Sequence, residues 1–341
     1  MVPDSIRMNA ARGRLVTVRA LLLGVLLLTG CGKKESSALA PGPGGLIKVR
    51  FQTDWFPQPE HGGYYQALAQ GYYAAEGLDV EILPGGPNAQ VMTKVATGRA
   101  DLGMTNGDDV IVAVARGVPL KMVAAEMQRD AQGIMFHGEH PLASLRDLNG
   151  RTVMAGAGSV WIKVLEKKLG VKFNLLPLAG DLARFMNDKN FIQQCFVTNE
   201  PFFARERGAD ARALLIASDD YAPYRVMVSS DAFIAQNPDV VRRFVRASIK
   251  GWTDYMTGDP AAANALLKQL RPDLPDKFFA YSIQAMKDYQ LVGGVPERGE
   301  RVGQLTAARI AKQIALLQEV GVLDKPVAVG DVATLEFLPK N

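Results

Sequence analysis

From residue 47 onward the chain alternates between strand-like and helix-like runs closed by glycine-bearing turns, and this restricts it to a helix-covered, mostly parallel sheet. IKVRFQTD (47–54), LDVEILPG (78–85), ADLGMT (100–105) and LKMVAAEM (120–127) have the short apolar pattern of strands. Between them, the stretch from His61 to Ala75, NAQVMTKVATG (88–98) and DDVIVAVARG carry helical spacing, the last two stopped by glycine. A second α/β unit begins near residue 140. LRDLNGRTVMAG contains a strand, SVWIKVLEKKLG is a helix ending at Gly170, and VKFNLLPL, FIQQCFVT and ALLIAS supply further strand-like runs. From Asn237 the chain is almost wholly helical, with Asn237 as an expected cap and Pro238 at the first helical position.

Two such units and a helical tail predict an α/β protein of two lobes, with a cleft at the C-terminal ends of the strands. QGIMFHGE (132–139) and YRVMVSS (224–230) are the expected crossings, making residues 47–135 with 231–341 one lobe and 136–230 the other. Two independent α/β domains without a shared cleft are the alternative.

The N-terminus has a separate character. Arg7, Arg12, Arg14 and Arg19 precede ALLLGVLLLTGC, a short apolar run ending in small residues at Cys31, which is the layout of a secretory signal over residues 1–30. Leu28-Thr29-Gly30-Cys31 resembles a bacterial lipobox, which implies lipidation of Cys31 and a membrane anchor, followed by a Gly/Pro/Ser-rich tether over 31–46. Most of the formal charge of +4 is carried by this leader, and the remainder offers no basic patch for nucleic acid. Cys195 is the other cysteine, so no internal disulfide is expected beside a modified Cys31; burial as a small hydrophobe is the expected role of Cys195.

The densest cluster of functional residue types is DWFPQPEHGGYY, Asp54 to Tyr65, just after the first strand. Gly62 and Gly63 stand at a helix start, where bare backbone N–H groups can meet a ligand. His61 either braces this loop or touches the ligand. Ala155-Gly-Ala-Gly-Ser159 is a similar strand-to-helix turn, read either as a structural turn or as an anion cradle. Asn106 and Asp108, in MTNGDD, can cap the next helix or point into the cleft. The three histidines, His61, His137 and His140, form no His-x-x-x-His pair. With no Cys-x-x-Cys or Gly-x-Ser-x-Gly either, neither an enzyme nor a metal or cofactor site is expected.

GYYAAEGLDVEI, ATGRADLGMT, LRDLNGRTV, TNEPFFARERGA and NPDVVRRFVRASIKGW together resemble the SsuA/THI5-like (NMT1/THI5-like) group of substrate-binding proteins. The resemblance implies a type II periplasmic binding protein fold, a small-molecule ligand, an ABC permease and ATPase as partners, a monomer, and a periplasmic or cell-surface location held by the N-terminal lipid. Asp54, Trp55, Pro57, His61, Gly63 and Tyr65 match the pattern of the subgroup that binds the pyrimidine precursor of thiamine, while Gln58, Pro59 and Glu60 depart from it. A flat heteroaromatic asks for stacking faces and fixed polar groups on its edge. Trp55, Tyr64, Tyr65 and Trp161 are the candidate faces, with core packing as the other reading of each. Asp54 or Glu200 is the candidate edge acceptor, and His61, Gly62, Asn106, Ser159 and Asn199 complete the expected site. The alternatives are a binding component for sulfonate, taurine or nitrate-type anions, a THI5-like pyrimidine synthase, or a ligand-sensing module. The yeast-type synthase carries a Cys-rich segment that has no counterpart here.

Overall fold

Strand β1 (Ile47–Gln52) pairs in parallel with β2 (Leu78–Leu83), Ile47 opposite Leu78 and Gln52 opposite Leu83, and buries Val49 and Phe51. This is the first element of a computed structural model that describes residues 39–339 apart from Pro43, Gly180 and Asp219. The expected leader, Cys31 and the start of the tether lie outside the described residues. The end of the tether is held at Leu39, whose backbone N–H donates to Asn237 Oδ1 at 2.7 Å. Asn237 precedes the helix Pro238–Thr257 but makes no side-chain cap to it, so its amide serves the tether instead.

The first sheet adds β3 (Leu102–Asn106), β4 (Leu120–Met127) and β10 (Arg225–Ser230) in the order β2-β1-β3-β10-β4. The second sheet is built from β5 (Gln132–His137), β6 (Thr152–Ala155), β7 (Asn174–Pro177), β8 (Ile192–Phe196) and β9 (Ala211–Leu215), ordered β7-β6-β8-β5-β9. In each sheet one strand runs against its neighbours: β10 against β3 and β4, β5 against β8 and β9. Each of these is the strand that has just crossed from the other lobe, entering from the cleft edge where the remaining strands end. The runs 132–139 and 224–230 are therefore strands inside the sheets rather than the links themselves. The links are the short segments between β4 and β5 and between β9 and β10. β10 lies in the first sheet because its VMV run is buried on both faces between β3 and β4.

The expected helix from His61 to Ala75 is broken in two. A helical turn at Pro59–His61 leads into the helix Gly62–Ala69, and Gly71, at φ +68°, redirects the chain into Tyr72–Ala75. Gly62–Ala69 packs against Pro238–Thr257 so closely that side chains are excluded at the crossing. A Cβ on Gly63 would lie 2.1 Å from the Trp252 ring, and one on Gly251 would lie 2.2 Å from the Gly63 carbonyl oxygen.

The C-terminal helices brace both lobes. In Asp276–Asp288, Phe278 meets Phe202 of the second lobe at 5.4 Å between ring centroids, and the Tyr281 hydroxyl donates to the Val197 carbonyl at 2.8 Å. Leu316 of Ala307–Glu319 and Val320 just after it join the cluster of Trp161, Val164 and Ile192. Arg309 of the same helix ties the two links together: one guanidinium nitrogen donates to the carbonyls of Gln128 and Ala222. The other reaches Glu300 at 3.2 Å, and the guanidinium stands 3.8 Å from the centre of the Tyr224 ring. A planar fork with several donors makes these bonds at once, which an ammonium does not.

Candidate functional site

Because β10 is antiparallel to its neighbours, its first residue, Arg225, stands opposite Asn106 at the end of β3 and Met127 at the end of β4. Its guanidinium is buried, bonded to Asp54 Oδ2 and, at 3.0 Å, to Asn106 Oδ1. Asp54 follows β1, and its other oxygen lies 3.4 Å from His61 Nε2. Burial opposes a charged Asp54, but Arg225 and His61 outweigh it and hold the carboxyl well below the usual carboxylate range. Burial also opposes a charged Arg225; Asp54, Glu126 and Asp130 outweigh it and push the guanidinium above its ordinary value. Glu126, fully buried in β4, accepts from the Tyr64 hydroxyl at 3.3 Å, and burial pushes it up to about 8 despite Arg225.

Beside this cluster lies a cavity of about 70 Å³ between the ends of the two sheets. Asp108, Asp109 and Asp130 line it from the first lobe and its link; Trp161 and Ser159 line it from the second, with Tyr221 from the other link. Two helix N-termini meet there, Gly107–Ala115 after Asn106 and Val160–Leu169 after Ser159. Asp108 and Asp109 sit in the first turn of the former, so that helix end already has its negative charge. Asp108 accepts from the Tyr221 hydroxyl at 2.6 Å and from Gln313, yet burial pushes it up to about 7. Burial and the neighbouring Asp130 push Asp109 up to about 6, and burial raises Asp130. The Trp161 ring is buried, and its indole N–H has no hydrogen-bond partner among the described residues. A cavity that holds benzene measures about 150 Å³, so this one is smaller than an aromatic ring needs.

The lobes also touch through side chains. Asn199 Nδ2 donates to Gln58 Oε1 at 2.9 Å, and the Thr198 hydroxyl donates to Glu60. Burial pushes Glu60 up to about 7, and its second oxygen has no partner among the described residues. Gln58 and Glu60, two of the departures from the subgroup pattern, are thus the residues that reach the second lobe.

The structure separates the expected site residues. Asp54, His61 and Asn106 gather around Arg225, and Asn106, Ser159 and Trp161 line the cavity. Asn106 stands at the helix cap position but gives its side-chain oxygen to Arg225 rather than to the helix. Asn199 reaches across to Gln58. Tyr64 and Tyr65 are not stacking faces: both rings lie in the hydrophobic core, Tyr64 with Phe51 at 4.3 Å between centroids. Gly62 and Gly63 are there for the helix crossing, since a Cβ on Gly62 would lie 2.1 Å from the Tyr255 ring. Glu200 accepts from the Phe196 backbone N–H at 2.7 Å, bracing its own turn. Trp55 is 41% exposed, edge-on to Phe56. Cys195 is buried, with its thiol pushed up by burial.

Arg225, Glu60, Glu126, Asp109, Asp130 and Tyr221 were not anticipated. The available signal was a charged residue inside or at the end of an apolar strand run, as in LKMVAAEM and YRVMVSS, where the fold must supply a partner.

The family model described as NMT1/THI5 like matches residues 58–263. The riboflavin-binding protein RibY of Chloroflexus aurantiacus is 27% identical over 95% of this chain and 99% of its own length. The formylaminopyrimidine-binding protein of Halalkalibacterium halodurans is 25% identical over 73% of this chain and 77% of its own. The yeast 4-amino-5-hydroxymethyl-2-methylpyrimidine phosphate synthase THI5 is 25% identical over 67% of this chain and 72% of its own. Among solved structures, the alkanesulfonate-binding protein SsuA of Xanthomonas axonopodis superposes with a TM-score of 0.63 at 17% identity, covering 84% of this chain and 98% of that one. The fold is that of the two-lobed periplasmic binding proteins, and the chain belongs to the NMT1/THI5-like family.

Proposed function

We propose that this protein is the substrate-binding component of an ABC importer, held outside the cytoplasm, and that it captures a small heteroaromatic with hydrogen-bond donors on its edge, such as an aminopyrimidine. The observation that carries this reading is the cavity between the strand ends, which Asp108, Asp109 and Asp130 line together with Trp161 and Tyr221. Carboxyl groups accept from ring N–H and amino groups, and the aromatic side chains supply faces worth roughly 0.5–1.5 kcal/mol each beyond area burial. The names of the relatives support the same class: one binds a formylaminopyrimidine, another riboflavin, itself a flat heteroaromatic. Riboflavin is the second reading, favoured by the match to RibY along nearly the whole chain. A small anion fits less well, because the buried guanidinium is already paired with Asp54. The yeast relatives are named as synthases, but the residues that face this cavity are suited to holding a ligand by its edge.

The lobes close on the ligand by rotation about the two links, because the bound state contacts it from both sides. Mass spectrometry of small molecules released from the purified protein tests the ligand class. A pyrimidine or flavin is the expected result; a sulfonate or nitrate would overturn the reading.

A further inference from the structure

The cleft has the scaffold of an anion site without the charge of one. A buried guanidinium stands beside the ends of β3 and β4, and two helix N-termini open onto the adjoining cavity. Each of these features favours an anion. Among the described residues, the groups that face Arg225 are acidic or neutral. Asp54 after β1 takes one guanidinium nitrogen, and Asn106 of β3 takes another at 3.0 Å. Glu126 of β4 and Asp130 of the first link also face it, with burial raising both carboxyls, and the Phe196 ring of β8 lies over the guanidinium at 5.9 Å.

Resting on the heteroaromatic reading above, we propose that Asp54 is a built-in counter-ion that sets the ligand class of this cleft. By occupying Arg225 it makes the site reject small anions and accept neutral or cationic heteroaromatics. Specificity of this kind comes from a repulsive element as much as from attractive contacts. An anion approaching Arg225 meets the Asp54 carboxylate, and like charges brought together at a buried site repel strongly. Replacing Asp54 by its neutral isostere keeps an acceptor for Arg225 and a partner for His61 while removing the charge. The guanidinium then has an unneutralised positive charge to offer.

The test is calorimetric titration of the full chain and of Asp54→Asn with ethanesulfonate, nitrate and 4-amino-5-hydroxymethyl-2-methylpyrimidine. The wild type is expected to give no heat with the anions, and Asp54→Asn to bind ethanesulfonate at least about tenfold more tightly than the wild type. The double variant Asp54→Asn/Asn106→Asp restores a carboxylate beside Arg225 and is expected to lose the anion again. If the wild type takes the pyrimidine and a folded Asp54→Asn still ignores both anions, this inference falls and the proposed function stands. If the wild type itself binds ethanesulfonate, the proposed function falls as well. Should Asp54→Asn not fold, the comparison is made on Asp54→Ser. Failure of both to fold overturns the inference, because the pair would then be required for the fold rather than for selection.

Discussion

Gln58, on the loop after the first strand, and Asn199, at the head of the helix Glu200–Glu206, share a 2.9 Å hydrogen bond across the two lobes. Thr198 and Glu60 make a second bond beside it. Both bonds exist only when the lobes are together, so they stabilise the closed arrangement. A neutral bond of this kind contributes about 0.5–1.5 kcal/mol, so Asn199→Ala is expected to weaken ligand binding by about two- to tenfold. Titration calorimetry measures the affinity, and small-angle scattering is expected to show a larger radius of gyration for the variant at equal ligand saturation.

Glu126 gives the fold a pH dependence of known sign. Its carboxyl is pushed up to about 8 in the folded chain and has an ordinary carboxylate value when unfolded. Between these values the folded state holds more protons than the unfolded state, so this group's contribution is complete at acid pH and is lost as pH rises toward 8. Glu60 and Asp108, both raised to about 7, act in the same direction. Glu126→Gln is expected to match the wild type near pH 5 and to melt about 2 °C or more above it at pH 8. Thermal melts across that range check it; equal slopes for both proteins would contradict the assignment.

Arg309 holds the two links through the Gln128 and Ala222 carbonyls. Arg309→Lys keeps the charge but loses the fork, leaving at least one buried carbonyl without its donor. The expected loss is about 1–3 kcal/mol, or a melting temperature lower by several degrees. Ligand affinity is expected to change with it, because the proposed closure turns on both links; a variant with unchanged melting and binding would remove Arg309 from this role.

Gly63→Ala tests the helix crossing. The new methyl group would lie 2.1 Å from the Trp252 ring, and the ring has no room to retreat in a fully buried core. Overpacking of this kind costs about 1–3 kcal/mol, readable as a lower urea midpoint with an unchanged slope. If Gly63 were instead a point of ligand approach, binding would suffer while stability held.

The alternation of strands and helices was legible because it is local: a period and a glycine stop are visible within about ten residues. The fate of individual side chains in DWFPQPEHGGYY was not, because it depends on distant partners. Tyr64 and Tyr65 are amphipathic aromatics that suit core and cleft equally, and the residues that decide for the core, such as Trp252 and Tyr255, come late in the chain. Gln58 and Glu60 find their partners 141 and 138 residues away. Arg225 is a single charge at the head of an apolar run, and its counter-ion lies 171 residues earlier. Such pairs are set by which strands become neighbours, and β10 entering the first sheet against the direction of the rest is the step that local pattern does not reveal.

Trp161 lines the cavity with a buried ring, so its removal tests whether the ligand is held there. The most direct measurement is a calorimetric titration of the wild-type protein with 4-amino-5-hydroxymethyl-2-methylpyrimidine, riboflavin and ethanesulfonate in parallel, repeated on Trp161→Leu. Saturable heat with a heteroaromatic, none with the sulfonate, and an affinity about tenfold weaker in the variant are expected. Saturable binding of the sulfonate with no response to either heteroaromatic would contradict the proposed function.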